Sequence, residues 1–127
     1  TGILNDGTSH MFMIVDKKSG KDIGTVKIHN HDKVNGICNL GMMIGNRNFW
    51  GSGYGPDTLK AAISYAFNNL NVRKICESVH SNNPRALLMD LKIGFHVEGV
   101  LKDQFFTEGK YVDKILIALF AKDWNRK

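Results

Sequence analysis

The segment best suited to chemistry is Gly51-x-Gly53-x-Gly55-Pro56. Its glycines alternate, so several backbone N–H groups can face one way with no side chain in front of them. Pro56 has the backbone angle of a first helical turn, and an apolar-periodic stretch follows it. A helix N-terminus fed by such a loop is an anion site, suited above all to phosphate. The spacing excludes the two common nucleotide loops. No Gly-Lys-Ser/Thr ending follows, and the glycines lack the three-residue span of the dinucleotide fingerprint. The ligand expected is a diphosphate of another kind.

The elements that must position this loop are legible on either side of it. Residues 37–44 are apolar on both faces and read as a central strand running into the loop. Leu59, Ala62, Ile63, Ala66, Phe67 and Leu70 recur at helical spacing after it, which makes them a core stripe. Residues 11–15 and 22–30 read as a hairpin closed by the turn at 16–20, and 29–36 as a polar loop. Residues 72–79 form another strand. Asn83-Pro84 opens a second helix, with Asn as N-cap and Pro at the first position, and Gly94 stops it. Strands at 95–106 and 112–120 flank a turn at 107–110. The order β-β-β-α-β-α-β-β predicts an α/β or α+β fold, with helices packed on a mixed sheet.

Composition narrows the class. At 127 residues the chain reads as one domain, 1–127, and its 43% hydrophobic content is ordinary for a packed fold. No apolar run reaches the length of a membrane span, so no membrane partner is expected. The net charge is +5, but the seventeen Lys and Arg residues are scattered, without the concentrated stripe that nucleic acid requires. A basic surface around an anionic ligand accounts for the charge equally well. Cys38 and Cys76 lie far apart in strand-like runs and read as buried free thiols, which favours a reducing, cytoplasmic setting.

Four motifs in order resemble the GNAT N-acetyltransferase superfamily, and within it the RimJ/RimL type. They are Trp50-Gly-Ser-Gly-Tyr-Gly55, then Asn83-Pro-Arg-Ala86 running into Lys92-Ile-Gly-Phe95, then Glu98-Gly99, then Gly109-Lys-Tyr-Val-Asp113. The segment 94–106 is similar to spermidine N-acetyltransferases. The resemblance runs from about Met11 to Trp124. It implies a mixed, mostly antiparallel central sheet in which one parallel strand pair splays apart, and acetyl-CoA as the cofactor. It further implies that Met42, Met43 and Ile44 line the slot on the first strand's edge. Trp50, Gly51, Ser52, Gly53, Tyr54 and Gly55 would hold the pyrophosphate, and Asn83 the cofactor's far arm.

Three positions depart from the family's pattern. Asn39 stands where many relatives have Glu, Ala86 where the RimJ/RimL type often has Ser, and Asp90 where many have a Tyr that protonates the leaving thiolate. Asp90 alone of these is ionisable. On a helix it reads as a solvated, ionised carboxylate that contributes little to turnover. Only desolvation would raise its pKa enough to make it a donor. His29, His31, His80 and His96 are alternative bases, with His80 best placed at the exit of the strand flanking the slot. His29-x-His31-Asp32 has metal-ligand types but no third partner nearby, so no metal is expected.

The activity implied is acetyl transfer to a primary amine: a protein N-terminus, a polyamine or another small amine. A non-catalytic acyl-CoA-binding module and a cofactor-free interaction domain are the alternatives. The family's initial strand and two helices are missing before Met11. Either the sequence is trimmed, or the acceptor cleft is open, or a neighbouring subunit completes it. A first strand exposed at a sheet edge invites pairing with a second copy, so a homodimer is expected.

Overall fold

The computed structural model describes residues 10–15, 22–44 and 54–124. In chain order these form β1 (His10–Val15), β2 (Asp22–Asp32), β3 (Ile37–Ile44), α1 (Tyr54–Asn68), β4 (Lys74–His80), α2 (Pro84–Ile93), β5 (His96–Thr107), β6 (Lys110–Phe120) and a single turn of helix, α3 (Ala121–Trp124). The expected succession of strands and helices holds, with α3 added. The strands make one six-stranded sheet in the order β1-β2-β3-β4-β6-β5. Every neighbouring pair is antiparallel except β3 and β4.

Burial explains why the sequence adopts these elements. Leu59, Ala62, Ile63, Ala66 and Phe67 form the buried stripe of α1, which packs on β2 and β3. Ile28, Ile75 and Ile117 meet it from neighbouring strands, and all three are essentially inaccessible. Each such side chain contributes about 1.5–3 kcal/mol by leaving water.

α2 is delimited as its sequence predicts. Asn83 Oδ1 accepts a hydrogen bond from the Ala86 N–H at 3.3 Å, and Pro84 begins the helix. Gly94 ends it at φ 133°, a conformation that L side chains rarely adopt. Gly94 and Phe95 both donate their N–H to the carbonyl of Asp90. The β5–β6 hairpin turns through Glu108 and Gly109, both with positive φ, as a primed two-residue turn requires.

β4 begins at Lys74, later than expected, Thr107 and Lys110 belong to the strands flanking the last turn, and two further boundaries differ. β2 continues past Asn30 through His31 and Asp32, which the sequence presents as loop. Asn30 takes a positive φ, and the register shifts between His29 and Asp32, so an irregularity carries the polar run onward within the strand. The turn after it is closed by Asp32, whose Oδ1 accepts from the N–H groups of Val34 and Asn35 at 3.0 Å each. The second difference is α1, which begins at Tyr54, so Gly55 belongs to its first turn and not to the preceding loop. The residue before a proline avoids helical geometry partly because its Cβ clashes with the proline ring; Gly55 has none.

Candidate active site

β3 and β4 are paired only at Ile37↔Lys74, Cys38↔Ile75 and Asn39↔Cys76. Beyond that point both strands continue without each other. β3 stays on β2 as far as Ile44↔Gly24, and β4 stays on β6 as far as His80↔Lys114. Their facing edges therefore diverge, and their inner backbone groups have no sheet partner across the gap. At about 3.3 Å per residue, the four or five residues on each side give a wedge roughly 13–16 Å deep. Met42, Met43 and Ile44 lie on its β3 edge.

Asn39 sits at the apex. Its Nδ2 donates to the carbonyl of Cys76 at 2.9 Å, and its Oδ1 accepts from Asn30 Nδ2 at 3.0 Å. The amide thus ties β3 to β4 at their last pair and to β2 behind. An amide exchanges no proton at neutral pH, so Asn39 positions the strands and is no acid or base.

Asp90 overturns its sequence reading. It is 5% exposed, not solvated, because α2 turns it inward beside the buried Ile93. Burial pushes its carboxyl up to about 6. It faces a group that sequence reasoning missed. Glu77 is the first residue of β4 past the apex, and its neighbours on the same strand face, Ile75 and Val79, are buried. Burial, and then the charge of Asp90, push Glu77 up to about 8. The signal was available as the alternation Ile75-x-Glu77-x-Val79, which places a carboxylate in a row of core residues.

The remaining candidates are dispersed. His80 ends β4, exposed, with its ring stacked 4.4 Å from that of Phe105. His96 stacks on Phe120 away from the wedge. His29 is half-buried, and its pKa is lowered by burial and by Lys27. His31 is buried, and its Nδ1 has no hydrogen-bond partner. Asn83 caps α2, and Ala86 packs partly against the core. Of the expected pyrophosphate contacts, Tyr54 and Gly55 open α1. Trp50, Gly51, Ser52 and Gly53 lie outside the described residues. Cys38 and Cys76 are both free, on adjacent strands and opposite faces; Cys38 is buried and Cys76 only half so.

Asp113, from the last motif, has a bracing role. Its Oδ1 accepts from the Asp103 N–H at 3.0 Å, and its Oδ2 lies 3.3 Å from Lys102 Nζ. Its own N–H donates to Ser81 Oγ at 2.9 Å. One residue thereby joins β6, the irregular stretch of β5 and the exit of β4. The hydrogen bond from Asp103 is the largest cause holding its carboxyl below the usual range.

The family model for the acetyltransferase (GNAT) domain matches residues 3–96, well over half of the sequence. The chain belongs to the GNAT family. It is 28% identical over 119 residues to an uncharacterized N-acetyltransferase, p20, of Bacillus licheniformis, an alignment covering 94% of this chain and 66% of that protein. It is 29% identical over 131 residues to the Escherichia coli enzyme that acetylates an alanine of ribosomal protein uS5, covering 98% and 66%. The chain thus spans just under two thirds of the length of these curated relatives. Among solved structures, spermidine N-acetyltransferase from Vibrio cholerae in complex with CoA and spermine superposes with a TM-score of 0.89 at 25% identity, over 95% of this chain and 70% of that one. The open sheet with one splayed parallel junction is therefore the GNAT sheet, and the RimJ/RimL and spermidine-type resemblance read from the four motifs holds. The family match ends at residue 96, so the β5–β6 hairpin and the Asp113 brace lie beyond it.

Proposed function

We propose that this chain carries the cofactor site and catalytic centre of an acetyl-CoA-dependent N-acetyltransferase acting on primary amines. The observation that carries this reading is the divergence of β3 and β4 after Asn39 and Cys76, with each strand still held on its outer side. Such a wedge fits an extended arm bearing amides, which can add strand-like hydrogen bonds to the open edges. Pantetheine is such an arm. When bound, acetyl-CoA supplies the activated acetyl group as a thioester.

The chain's own groups divide the remaining work. The backbone of Met42, Met43 and Ile44 binds the arm. Trp50, Gly51, Ser52 and Gly53, with the α1 N-terminus at Tyr54 and Gly55, contact the pyrophosphate; Asn83 reaches the far arm while capping α2. N–H groups of β3 beyond the apex are the donors nearest to charge developing on a thioester oxygen. Asp90, kept from full ionisation by burial, gives a proton to the departing sulfur. His80 stands at the exit, where an incoming amine must lose its proton. The acceptor is a protein N-terminus or a polyamine, the two amine types that the named relatives acetylate.

The setting is cytoplasmic, in keeping with two free thiols and with the absence, among the described residues, of any helix long and apolar enough to cross a membrane. The assembly is a homodimer: among the described residues β1 is an outer strand of the sheet, and an open edge favours pairing with another chain.

Calorimetry with acetyl-CoA, followed by thiol release against spermidine and an alanine-terminated peptide, tests the reading. Binding with turnover on one amine class supports it. Binding without turnover on any amine leaves only an acyl-CoA-binding module, and no binding removes the site.

A further inference from the structure

Glu77 has no part in the cofactor contacts above, yet it lies at the head of the wedge. It is one residue past the last β3–β4 pair, turned toward the helix-covered side of the sheet. α2 packs on β4 and brings Asp90 to the same side. Among the described residues, neither carboxyl group has a hydrogen-bond donor or a cation as partner. Among the described residues, no other charge faces them. The inward face of α1 is apolar, Glu77 pairs across β6 with Ile117, and Arg85 and Lys92 of α2 point to solvent. Among the described residues, the other titratable group that senses Glu77 is Cys38 of β3, whose thiol is pushed up to about 12 by burial, then by Cys76 and Glu77, and so stays neutral. Asp90 is buried and Glu77 half-buried beside it, and two carboxyl groups so placed, without a cation among the described residues, cannot both be ionised at low cost.

We propose that Glu77 and Asp90 act as one unit, a two-carboxyl proton relay that holds a single shared proton at the apex of the wedge. The proposal rests on the acetyl-transfer reading and adds Glu77 to it. As the amine nitrogen bonds to the acetyl carbon and the carbon–sulfur bond breaks, the sulfur leaves with the bonding electron pair. The ionised member of the pair takes the proton that the nitrogen gives up, and the protonated member supplies one to the sulfur. The pair then holds one proton again, and no further reactant is needed. Burial raises both carboxyl groups, and the charge of Asp90 raises Glu77 further, so the pair gives up its protons in two separated steps.

The test combines carboxyl titration without cofactor and turnover with it. With side-chain carboxyl carbons labelled, NMR of the chain should show two coupled titrations between about pH 6 and 8. In Glu77→Gln, Asp90 should titrate alone in a single step, and Asp90→Asn should return Glu77 toward the ordinary range. The wild-type pH profile of kcat should be bell-shaped. Glu77→Gln and Asp90→Asn should each lose one limb and at least tenfold in kcat, with acetyl-CoA affinity unchanged. Wild-type turnover, together with a Glu77→Gln variant that keeps the wild-type Asp90 titration, profile and rate, overturns the relay and leaves the acetyltransferase reading standing. Wild-type failure to turn over any amine overturns both. Ordinary carboxylate titration of both residues in the wild type overturns the relay even if the variants do not fold.

Discussion

Replacing Asp90 with Asn tests the buried carboxyl independently of any ligand. The aspartate is 5% exposed, and burial raises its carboxyl from an ordinary value of 3.8 to about 6. The folded chain therefore keeps a proton that the unfolded chain releases across this interval. Because the native state binds more protons, stability falls as pH rises through the window. The penalty is absent below the unfolded pKa and complete above the folded one. A shift of about two units corresponds to about 3 kcal/mol, at about 1.36 kcal/mol per unit. Asparagine keeps the shape and removes the ionisation. At pH 8.5, Asp90→Asn should therefore be more stable than wild type by about 2–3 kcal/mol, with a smaller gain at pH 4.5, near the unfolded pKa. Urea unfolding at pH 4.5, 6.5 and 8.5, with unchanged m-values, provides the measurement. Glu77→Gln should shift stability in the same direction, because it removes the other half of the pair. A variant whose stability differs from wild type by the same amount at all three pH values would refute the reasoning. Asp90 would then be solvated in solution, and the apex of the wedge would hold no stored proton.

Gly53→Glu places a side chain and a negative charge in the loop proposed for pyrophosphate, and should weaken acetyl-CoA binding at least tenfold, about 1.4 kcal/mol, by calorimetry. Asn39→Ala removes the bond to the Cys76 carbonyl and leaves Asn30 Nδ2 without its acceptor. It should cost about 1–3 kcal/mol in urea unfolding and reduce turnover, because the strands are no longer pinned where they part. Gly94→Ala forces a Cβ onto a backbone at φ 133°, so it should destabilise the chain by more than about 1 kcal/mol and lower Tm. A homodimer should sediment at twice the 14.2 kDa chain mass at micromolar concentration; a monomer throughout would exclude it.

Features set by neighbours along the chain were legible in the sequence. The stripe of α1 follows from helical spacing, and the limits of α2 from the side-chain acceptor of Asn83, the fixed φ of Pro84 and the missing Cβ of Gly94. Each depends on residues a few positions apart, so local sterics and hydrogen bonding suffice. The family was legible for a related reason: four short motifs kept their order and spacing. Local reasoning fell short where partners come from elsewhere. Nothing near β4 in sequence says that β6, about 40 residues on, inserts between it and β5. That pairing holds β4 on its outer side and lets its inner edge part from β3. Asp90 looks solvated on its own helix, and only the docking of α2 on β4 removes it from water. The alternation Ile75-x-Glu77-x-Val79 marks Glu77 as turned inward, but only the same docking sets it against Asp90. A pKa is decided by dielectric and by neighbouring charge, and both are properties of the packed molecule. The sequence by itself therefore determined the order of the elements and the family. The tertiary structure decided where the sheet opens and which two carboxyl groups meet there.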